Sequence, residues 1–169
     1  MEVIISSVRD ECVKISSEIP SAVFVGAAAT LAHLGWYARR TSDLDIAVEV
    51  ASDAEEARLI NLGYLKLDEK WYTPRHWKID IYRRDVSGFA VTKVANDSVQ
   101  VAVGKSTIRV AKLEMLILMK HRAGQTDDVR SLIGNRFSSI DWDYMRSIAR
   151  NDVEVVEMRN VARSMRLQK

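Results

Sequence analysis

The segment Asp43-Leu44-Asp45-Ile46-Ala47-Val48 constrains the fold more than any other part of the sequence, because acidic and apolar residues alternate at its start. In a β-strand, residues two positions apart point to the same face of the sheet. The pattern predicts a strand over residues 44–50, with the side chains of Asp43 and Asp45 next to each other on one face. Two carboxylates held so close repel each other, so they favour a cation between them. A hard divalent ion such as Mg²⁺ takes oxygen ligands and suits such a pair.

A buried strand, a small-residue turn and a helix are predicted immediately upstream of this segment. Val23-Phe24-Val25 is a short apolar run that ends at Gly26, and residues 27–34 are rich in helix formers before Gly35. The small residues 26–29 allow the backbone to approach a phosphate group. Gly26 also has a simpler interpretation, in which it only forms the tight turn after a buried strand.

The remaining patterns predict an α+β fold. Residues 5–15 have helical spacing, and a second helix is expected from Ser52 or Asp53 to residue 60. Residues 64–110 contain short, partly alternating β-rich segments, with a hairpin connection at residues 104–106. From residue 111 the pattern becomes helical, with a helix from Leu113 that Gly124 closes. Further helices are expected from Asp127 or Asp128 to 137, from Ser138 or Ser139 to 149, and over 152–167. We therefore predict a mixed β-sheet with flanking helices in residues 1–110, followed by a helical C-terminal part, residues 111–169, packed on this core.

The composition excludes several classes of protein. The 169 residues are 47% hydrophobic and 28% charged, with 7 Gly and 2 Pro, which is typical of a folded globular chain. The net charge of +2 neither requires nor excludes a nucleic-acid partner. Cys12 is the single cysteine, so no internal disulfide forms, and a cytoplasmic location is expected. Cys12 itself is expected to be a buried apolar residue. The histidines lack zinc-site spacing, and no signal peptide or membrane-spanning segment is expected.

A third acid with the same strand character is Asp80, in Trp77-Lys78-Ile79-Asp80-Ile81-Tyr82. Alternation places Lys78, Asp80 and Tyr82 on one face and the two isoleucines on the other. If the two acid-bearing strands are neighbours in the sheet, Asp80 meets Asp43 and Asp45 and completes a metal site. The alternative is an edge-strand acid that pairs with Lys78 or Arg83. Glu49 is a second candidate for the third acid, because it shares the parity of Asp43 and Asp45.

These motifs resemble the polymerase-β-type nucleotidyltransferase superfamily. The family pattern is a glycine followed by Gly or Ser, a helix, two acids separated by one residue, and a third acid on a later strand. The downstream helical segment is similar to that of a small prokaryotic group that includes abortive-infection-type toxins, in which a lysine and an acid a few residues later belong to the active site. The matching residues are Gly26-Ala27, Arg40-Thr41-Ser42-Asp43-Leu44-Asp45, Ile79-Asp80-Ile81 and residues 113–129, with the lysine at Lys120 and the acid at Asp128.

The resemblance implies a nucleotidyltransferase fold and transfer of a nucleoside monophosphate from an NTP to an acceptor hydroxyl. Asp43, Asp45 and Asp80 would be catalytic and would hold Mg²⁺ or Mn²⁺, and Lys120 would supply positive charge for the triphosphate. The implied acceptors are a tRNA or a protein, and a cognate antitoxin is an implied partner. The remaining nucleotide-binding residues that it implies are Gly26, Ala27, Arg40, Thr41, Ser42 and Asp128.

Two positions depart from the family pattern. Ala27 stands where relatives carry Gly or Ser, so only backbone N–H groups are offered to a phosphate there. Ser131 stands where relatives often carry a further acid. Two other functions stay open on the sequence: a non-catalytic binding or antitoxin module in which the acids are remnants, and an enzyme that modifies a small molecule such as an antibiotic.

Several candidate residues have structural interpretations beside the functional ones. Arg40 is then a solvated loop charge, and Thr41 or Ser42 only steadies the turn before the strand. Lys120 extends its amino group to solvent from a half-buried helix face. Asp128 is a helix N-cap.

Overall fold

Helices and strands are mixed along residues 2–36, 41–49 and 53–167, which the computed structural model describes; side chains are described from residue 8 onward within these ranges. The eight α-helices in these ranges are α1 (Glu2–Glu18), α2 (Gly26–His33), α3 (Asp53–Asn61), α4 (Val91–Asn96), α5 (Leu113–Arg122), α6 (Thr126–Arg136), α7 (Trp142–Ile148) and α8 (Asp152–Arg166). The nine strands there are β1 (Val23–Val25), β2 (Asp43–Ala47), β3 (Leu65–Leu67), β4 (Lys70–Tyr72), β5 (Lys78–Tyr82), β6 (Asp85–Val86), β7 (Phe89–Ala90), β8 (Val99–Val103) and β9 (Ser106–Val110). The predicted α+β class, with helices concentrated in the C-terminal part, is confirmed.

Seven of these strands form one mixed sheet in the order β3-β4-β5-β2-β1-β9-β8, and β6 and β7 form a separate hairpin. Strand β1 runs antiparallel to β2 and parallel to β9, and β2 runs parallel to β5. Strand β1 is apolar and buried along its length, whereas β2 buries one face and carries Asp43 and Asp45 on the other. Phe24, Leu44 and Ile46 are fully buried there, as the apolar runs predict.

The pairing of β2 with β5 decides what the acids can do. In the parallel register, Asp43 lies opposite Lys78 and Asp45 lies opposite Asp80. The prediction that the two acid-bearing strands are neighbours in the sheet is therefore confirmed. Residues that are directly opposite each other also point to the same face of the sheet. Strand β5 lies between β4 and β2, so the alternative of an edge-strand acid is wrong for Asp80. Its expected pairing with Lys78 is nevertheless present.

Some local predictions differ from the structure. The short helix α4 and the β6–β7 hairpin were not predicted, because segments of six and two residues are too short to show a hydrophobic period. Helix α6 begins at Thr126 with Gln125 as its N-cap, so Asp128 lies inside the first turn and the N-cap interpretation is wrong. Helix α7 is capped by the Asp141 side chain, which accepts from the Tyr144 N–H; Ser138 and Ser139 lie instead in a short 3-10 turn.

Helix α2, which lies between β1 and β2 in the chain, contacts both of these strands and helix α5 of the C-terminal part. Helix α5 packs on α2, α6 and α7. His33 in α2 has its Nε2 atom 2.8 Å from the carbonyl oxygen of Ala111 and donates to it, and the Ala111 N–H donates to the Phe24 carbonyl. One hydrophobic cluster includes side chains from the predicted core, residues 1–110, and from the helical part, residues 111–169, for example Leu31 and Leu116. The proposed boundary at residue 110 stays a prediction.

Two further predictions concern α1 and membrane insertion. Val8, Cys12 and Ile15 are buried, which confirms the helical spacing for these residues. Burial raises the pKa of the Cys12 thiol, so this group stays protonated and unreactive, as expected of a buried apolar residue. No helix in the described ranges has the length and apolar character needed to cross a bilayer.

A buried ion pair fixes α8 against α5 and the β6–β7 hairpin. The Arg122 guanidinium donates to both carboxylate oxygens of Glu154, at 2.8 and 2.9 Å, and to the carbonyl oxygen of Ser87 at 2.9 Å. The side chains of Arg122 and Glu154 are 6% and 10% exposed. The hydrogen bond from Arg122 holds the pKa of Glu154 below its ordinary value. The ionised carboxylate therefore stabilises the folded chain at neutral pH.

We expect Glu154→Gln to lower the free energy of unfolding by about 1.5–3 kcal/mol at pH 7, because a hydrogen bond to a charged group is lost in a buried position. A carboxyl group whose pKa is lower in the folded than in the unfolded state stabilises the folded state at a pH above the unfolded pKa, which is near 4.3 for Glu. This stabilisation is lost as the pH falls through the lower pKa of the folded state. The difference between wild type and variant should therefore shrink in acid. Urea unfolding at pH 7 and below pH 4 measures it.

The matched control is Glu157→Gln on the same helix, since Glu157 is half exposed and contacts His121. Its effect should stay below about 0.5 kcal/mol, as for other surface positions. Equal losses in the two variants would contradict the importance of the buried pair.

Candidate functional site

A cleft of about 390 Å³ lies where the start of α2, strand β2 and helix α5 meet. Its lining includes five of the predicted site residues: Gly26, Ala27, Asp43, Asp45 and Lys120. Tyr82 and Gln125 also line it, and neither had been assigned to the acidic site or the phosphate site from the sequence. The long-range pairing of β2 with β5 and the packing of α5 on α2 thus bring the two halves of the predicted site together.

Asp43, Asp45, Lys78 and Asp80 form a two-by-two group on one face of β2 and β5, in which the lysine takes the fourth position. Burial raises the pKa of the Asp45 carboxyl, and the negative charges of Asp43 and Asp80 raise it further. The carboxylates of Asp43 and Asp80 therefore both act on Asp45. Asp80 shares this face but is not part of the cleft lining described above.

The Lys78 ammonium lies between two of the acids. Its Nζ atom is 3.0 Å from Oδ2 of Asp80 and 3.6 Å from Oδ2 of Asp43. Hydrogen bonding to Asp80 raises the pKa of Lys78, so the ammonium keeps its proton. Among the residues that the structure describes, no group of three or more His, Cys, Asp or Glu side chains is arranged to hold a metal ion. The sequence had indicated Lys78 only as a partner of Asp80, and the contact with Asp43 follows from the register.

Gly26 brings the backbone at the start of α2 against Asp45. Its φ of +58° is a left-handed conformation that favours glycine. A Cβ atom at this position would lie 2.1 Å from Oδ2 of Asp45, far inside van der Waals contact. The tight turn after β1 is therefore real, and it also creates a close approach between backbone and carboxylate. Ala27 is buried in the following turn, where the N-cap Val25 offers no side-chain hydrogen bond to the first N–H groups.

Tyr82 stabilises the position of Asp45 from the neighbouring strand. Its hydroxyl donates to Oδ1 of Asp45 at 3.3 Å. Burial, followed by the negative charge of Asp45, raises the pKa of Tyr82 to about 12. The phenol therefore remains a donor at neutral pH. Alternation on β5, which places Tyr82 on the face of Asp80, was the only sequence signal for its contact with an acid.

Lys120 is buried, with its side chain 6% exposed, so the interpretation of an amino group extended to solvent is wrong. Its Nζ donates to Oε1 of Gln125 at 2.6 Å and lies 2.8 Å from Oδ2 of Asp128. The positive charge of Lys120 offsets part of the rise in the pKa of Asp45. The resemblance had implied Lys120 and Asp128 as active-site residues without a contact between them, and of the two only Lys120 lines the cleft. Gln125 lies in the turn between α5 and α6 and carried no sequence signal.

The residues before β2 have mixed outcomes. The Thr41 hydroxyl donates to the carbonyl oxygen of Asp43 at 2.7 Å, which supports the interpretation that it steadies this turn. Ser42 is exposed, and neither residue lines the cleft. Arg40 lies outside the described residues. Glu49 is exposed beyond the end of β2 and does not line the cleft either.

Comparisons with known proteins do not assign the chain to a family. No protein-family model matches the chain. A search of curated proteins also gives no significant match. The resemblance to nucleotidyltransferases therefore stays a prediction that rests on the motifs and on the geometry of the cleft.

Proposed function

We propose that this chain is a metal-dependent nucleotidyltransferase with a nucleotidyltransferase fold. The observation that carries the proposal is the parallel register of β2 and β5, which aligns Asp43, Asp45 and Asp80 on one face. The adjoining cleft, which Asp43 and Asp45 line, contains the glycine start of α2 and a buried lysine. A volume of about 390 Å³ suits a ligand of nucleotide size.

The proposed ligands on this face suit Mg²⁺ or Mn²⁺ by chemical type, although in the described residues they are not arranged as a metal site. All the donors are carboxylate oxygens, which hard divalent ions prefer. An ammonium lies within 4 Å of two of the three carboxylates and would have to move for an ion to bind both. Asp43 and Asp45 would hold the ion that accompanies the triphosphate, and Asp80 would complete a second site. When bound, such ions supply charge neutralisation for the phosphates and a lower pKa for the acceptor hydroxyl.

The chain's own residues bind and orient the reactants. Backbone N–H groups at Gly26 and Ala27 face the β and γ phosphates, where the helix start favours negative charge. Lys120 adds a positive charge, and its contacts with Gln125 and Asp128 hold the amino group in place. Asp80 accepts the proton of the acceptor hydroxyl as that oxygen attacks the α phosphorus and pyrophosphate leaves. The Tyr82 hydroxyl orients Asp45.

A tRNA or a protein is the acceptor class that the motif resemblance favours, in the manner of a toxin neutralised by a cognate antitoxin. A second candidate function is a non-catalytic nucleotidyltransferase-like module. Two observations favour it: Lys78 contacts two of the acids, and Ala27 provides no hydroxyl for a phosphate. A small-molecule acceptor is the third possibility to be tested.

The test is transfer of label from each of the four α-³²P NTPs in Mg²⁺ or Mn²⁺, with total tRNA, total protein or a hydroxyl-rich antibiotic as acceptor. We expect label in the tRNA or protein fraction with wild type. Asp43→Ala should lower transfer more than about 100-fold, because even groups that only support a metal ligand contribute 10- to 100-fold.

Asp143→Ala is the matched control, since Asp143 is 94% exposed on α7. It should transfer label at the wild-type rate. Transfer of label only to the antibiotic would show that the acceptor is a small molecule and not a tRNA or a protein. If wild type binds NTP but transfers nothing to any acceptor, the non-catalytic module is correct; if it binds neither NTP nor metal, both functions are excluded.

A further inference from the structure

Lys78 is a basic residue inside an acidic group, and the proposed chemistry gives it no role. It lies on the same strand face as Asp80 and directly opposite Asp43 in the register. Its Nζ atom contacts one carboxylate oxygen from each of these two residues. A positive charge in this position lowers the repulsion among the acids in the same way as a bound cation.

The exposure of this contact distinguishes it from the other lysine of the site. The side chains of Lys78, Asp43 and Asp80 are 29%, 41% and 36% exposed. Lys120 and Asp128, in contrast, are 6% and 11% exposed. Ion pairs that reach solvent are weak, and long lysine side chains move readily between partners. The Lys78 ammonium can therefore leave the carboxylates, whereas the Lys120 ammonium is fixed by burial.

We propose that Lys78 is the resting counter-ion of the acidic face and competes with a divalent cation for Asp43 and Asp80. The inference rests on the proposed function, because it assumes that these carboxylates bind metal. In the metal-free protein the ammonium of Lys78 reduces the electrostatic repulsion between the carboxylates. Metal binding displaces it, so Lys78 raises the concentration of divalent cation that the site requires.

The experiment measures binding of Mn²⁺ alone, without nucleotide, by the electron paramagnetic resonance signal of the free ion. We expect Lys78→Met to lower the Kd for Mn²⁺ about two- to tenfold, which corresponds to the loss of one or two exposed ion pairs. The same variant should have a lower Tm than wild type in EDTA and a larger rise in Tm on addition of Mn²⁺. Lys78→Arg keeps the charge and should stay close to wild type in Kd.

Lys66→Met is the matched control for net charge. Lys66 is 35% exposed and also contacts two carboxylates, those of Glu56 and Glu69, away from the acidic face. It should leave the Kd for Mn²⁺ unchanged. An equal gain in affinity in both variants would show an effect of net charge only and would overturn the proposal.

The outcomes separate the role of Lys78 from the proposed function. If wild type binds Mn²⁺ and Lys78→Met binds it with the same or lower affinity, competition by Lys78 is wrong and the metal site remains. If neither protein binds Mn²⁺ up to millimolar concentration, the metal site itself is wrong and the proposed function fails with it. Lys78→Gln repeats the test should the methionine variant fold poorly.

Discussion

Asp45→Asn is expected to abolish the proposed nucleotidyl transfer and, at the same time, to raise the thermal stability of the metal-free protein. Asp45 is the acid that faces both Asp43 and Asp80, and burial and these two negative charges disfavour its ionised form. Asparagine has nearly the same shape and keeps an oxygen for the Tyr82 hydroxyl. Removal of the charge therefore removes repulsion without leaving a cavity. A residue with a purely structural role would show a loss of stability instead.

We expect transfer to fall more than about 100-fold, since a direct metal ligand contributes more than its supporting groups do. The free energy of unfolding in EDTA should rise by about 0.5–2 kcal/mol, in the range of other stabilising substitutions at functional sites. For a chain of this size, 1 kcal/mol corresponds to a rise of about 2–4 °C in Tm. Thermal unfolding in EDTA and the label-transfer assay provide the two measurements. Asp143→Asn, on the exposed face of α7, should change neither.

Loss of activity together with a clear loss of stability in Asp45→Asn would show that the carboxylate mainly supports the fold. Retained activity would remove Asp45 from the proposed catalytic group.

Gly26→Ala is expected to lower the free energy of unfolding by about 2–5 kcal/mol and to eliminate binding of Mn²⁺. The left-handed conformation at φ +58° costs an alanine about 1–2 kcal/mol. The added Cβ would also lie 2.1 Å from Oδ2 of Asp45, and relief of such overpacking costs about 1–3 kcal/mol. Asp45 must move to relieve the clash, so the acidic face loses its arrangement. Urea unfolding and Mn²⁺ titration measure the two effects.

Gly104→Ala separates the two contributions. Gly104 has a similar φ of +61°, but a Cβ there would meet nothing within 4 Å. This control should therefore cost only the backbone contribution, about 1–2 kcal/mol, and leave Mn²⁺ binding intact. If the two variants lose the same free energy of unfolding and both bind Mn²⁺, the close approach between Gly26 and Asp45 is not needed for metal binding.

Local patterns were sufficient for the parts of the site that depend on residue spacing. The period of two placed Asp43 and Asp45 on one face and Asp80 on the face of Lys78 and Tyr82, and the register confirms both sets. The run Val23–Val25 and the helix that ends before Gly124 were likewise predicted, because burial imposes apolar residues and the chain reversal favours glycine.

Tertiary structure alone decided which of these local patterns meet. The pairing of β2 with β5 places Lys78 against Asp43, and the packing of α5 on α2 brings Lys120 and Gln125 into the cleft. Contacts of this kind join residues far apart in the sequence, and no local period records them. The amino-acid sequence thus determined which side chains share a strand or helix face. The fold determined which charges neutralise one another, because electrostatic energy depends on distance in space and on exposure to water.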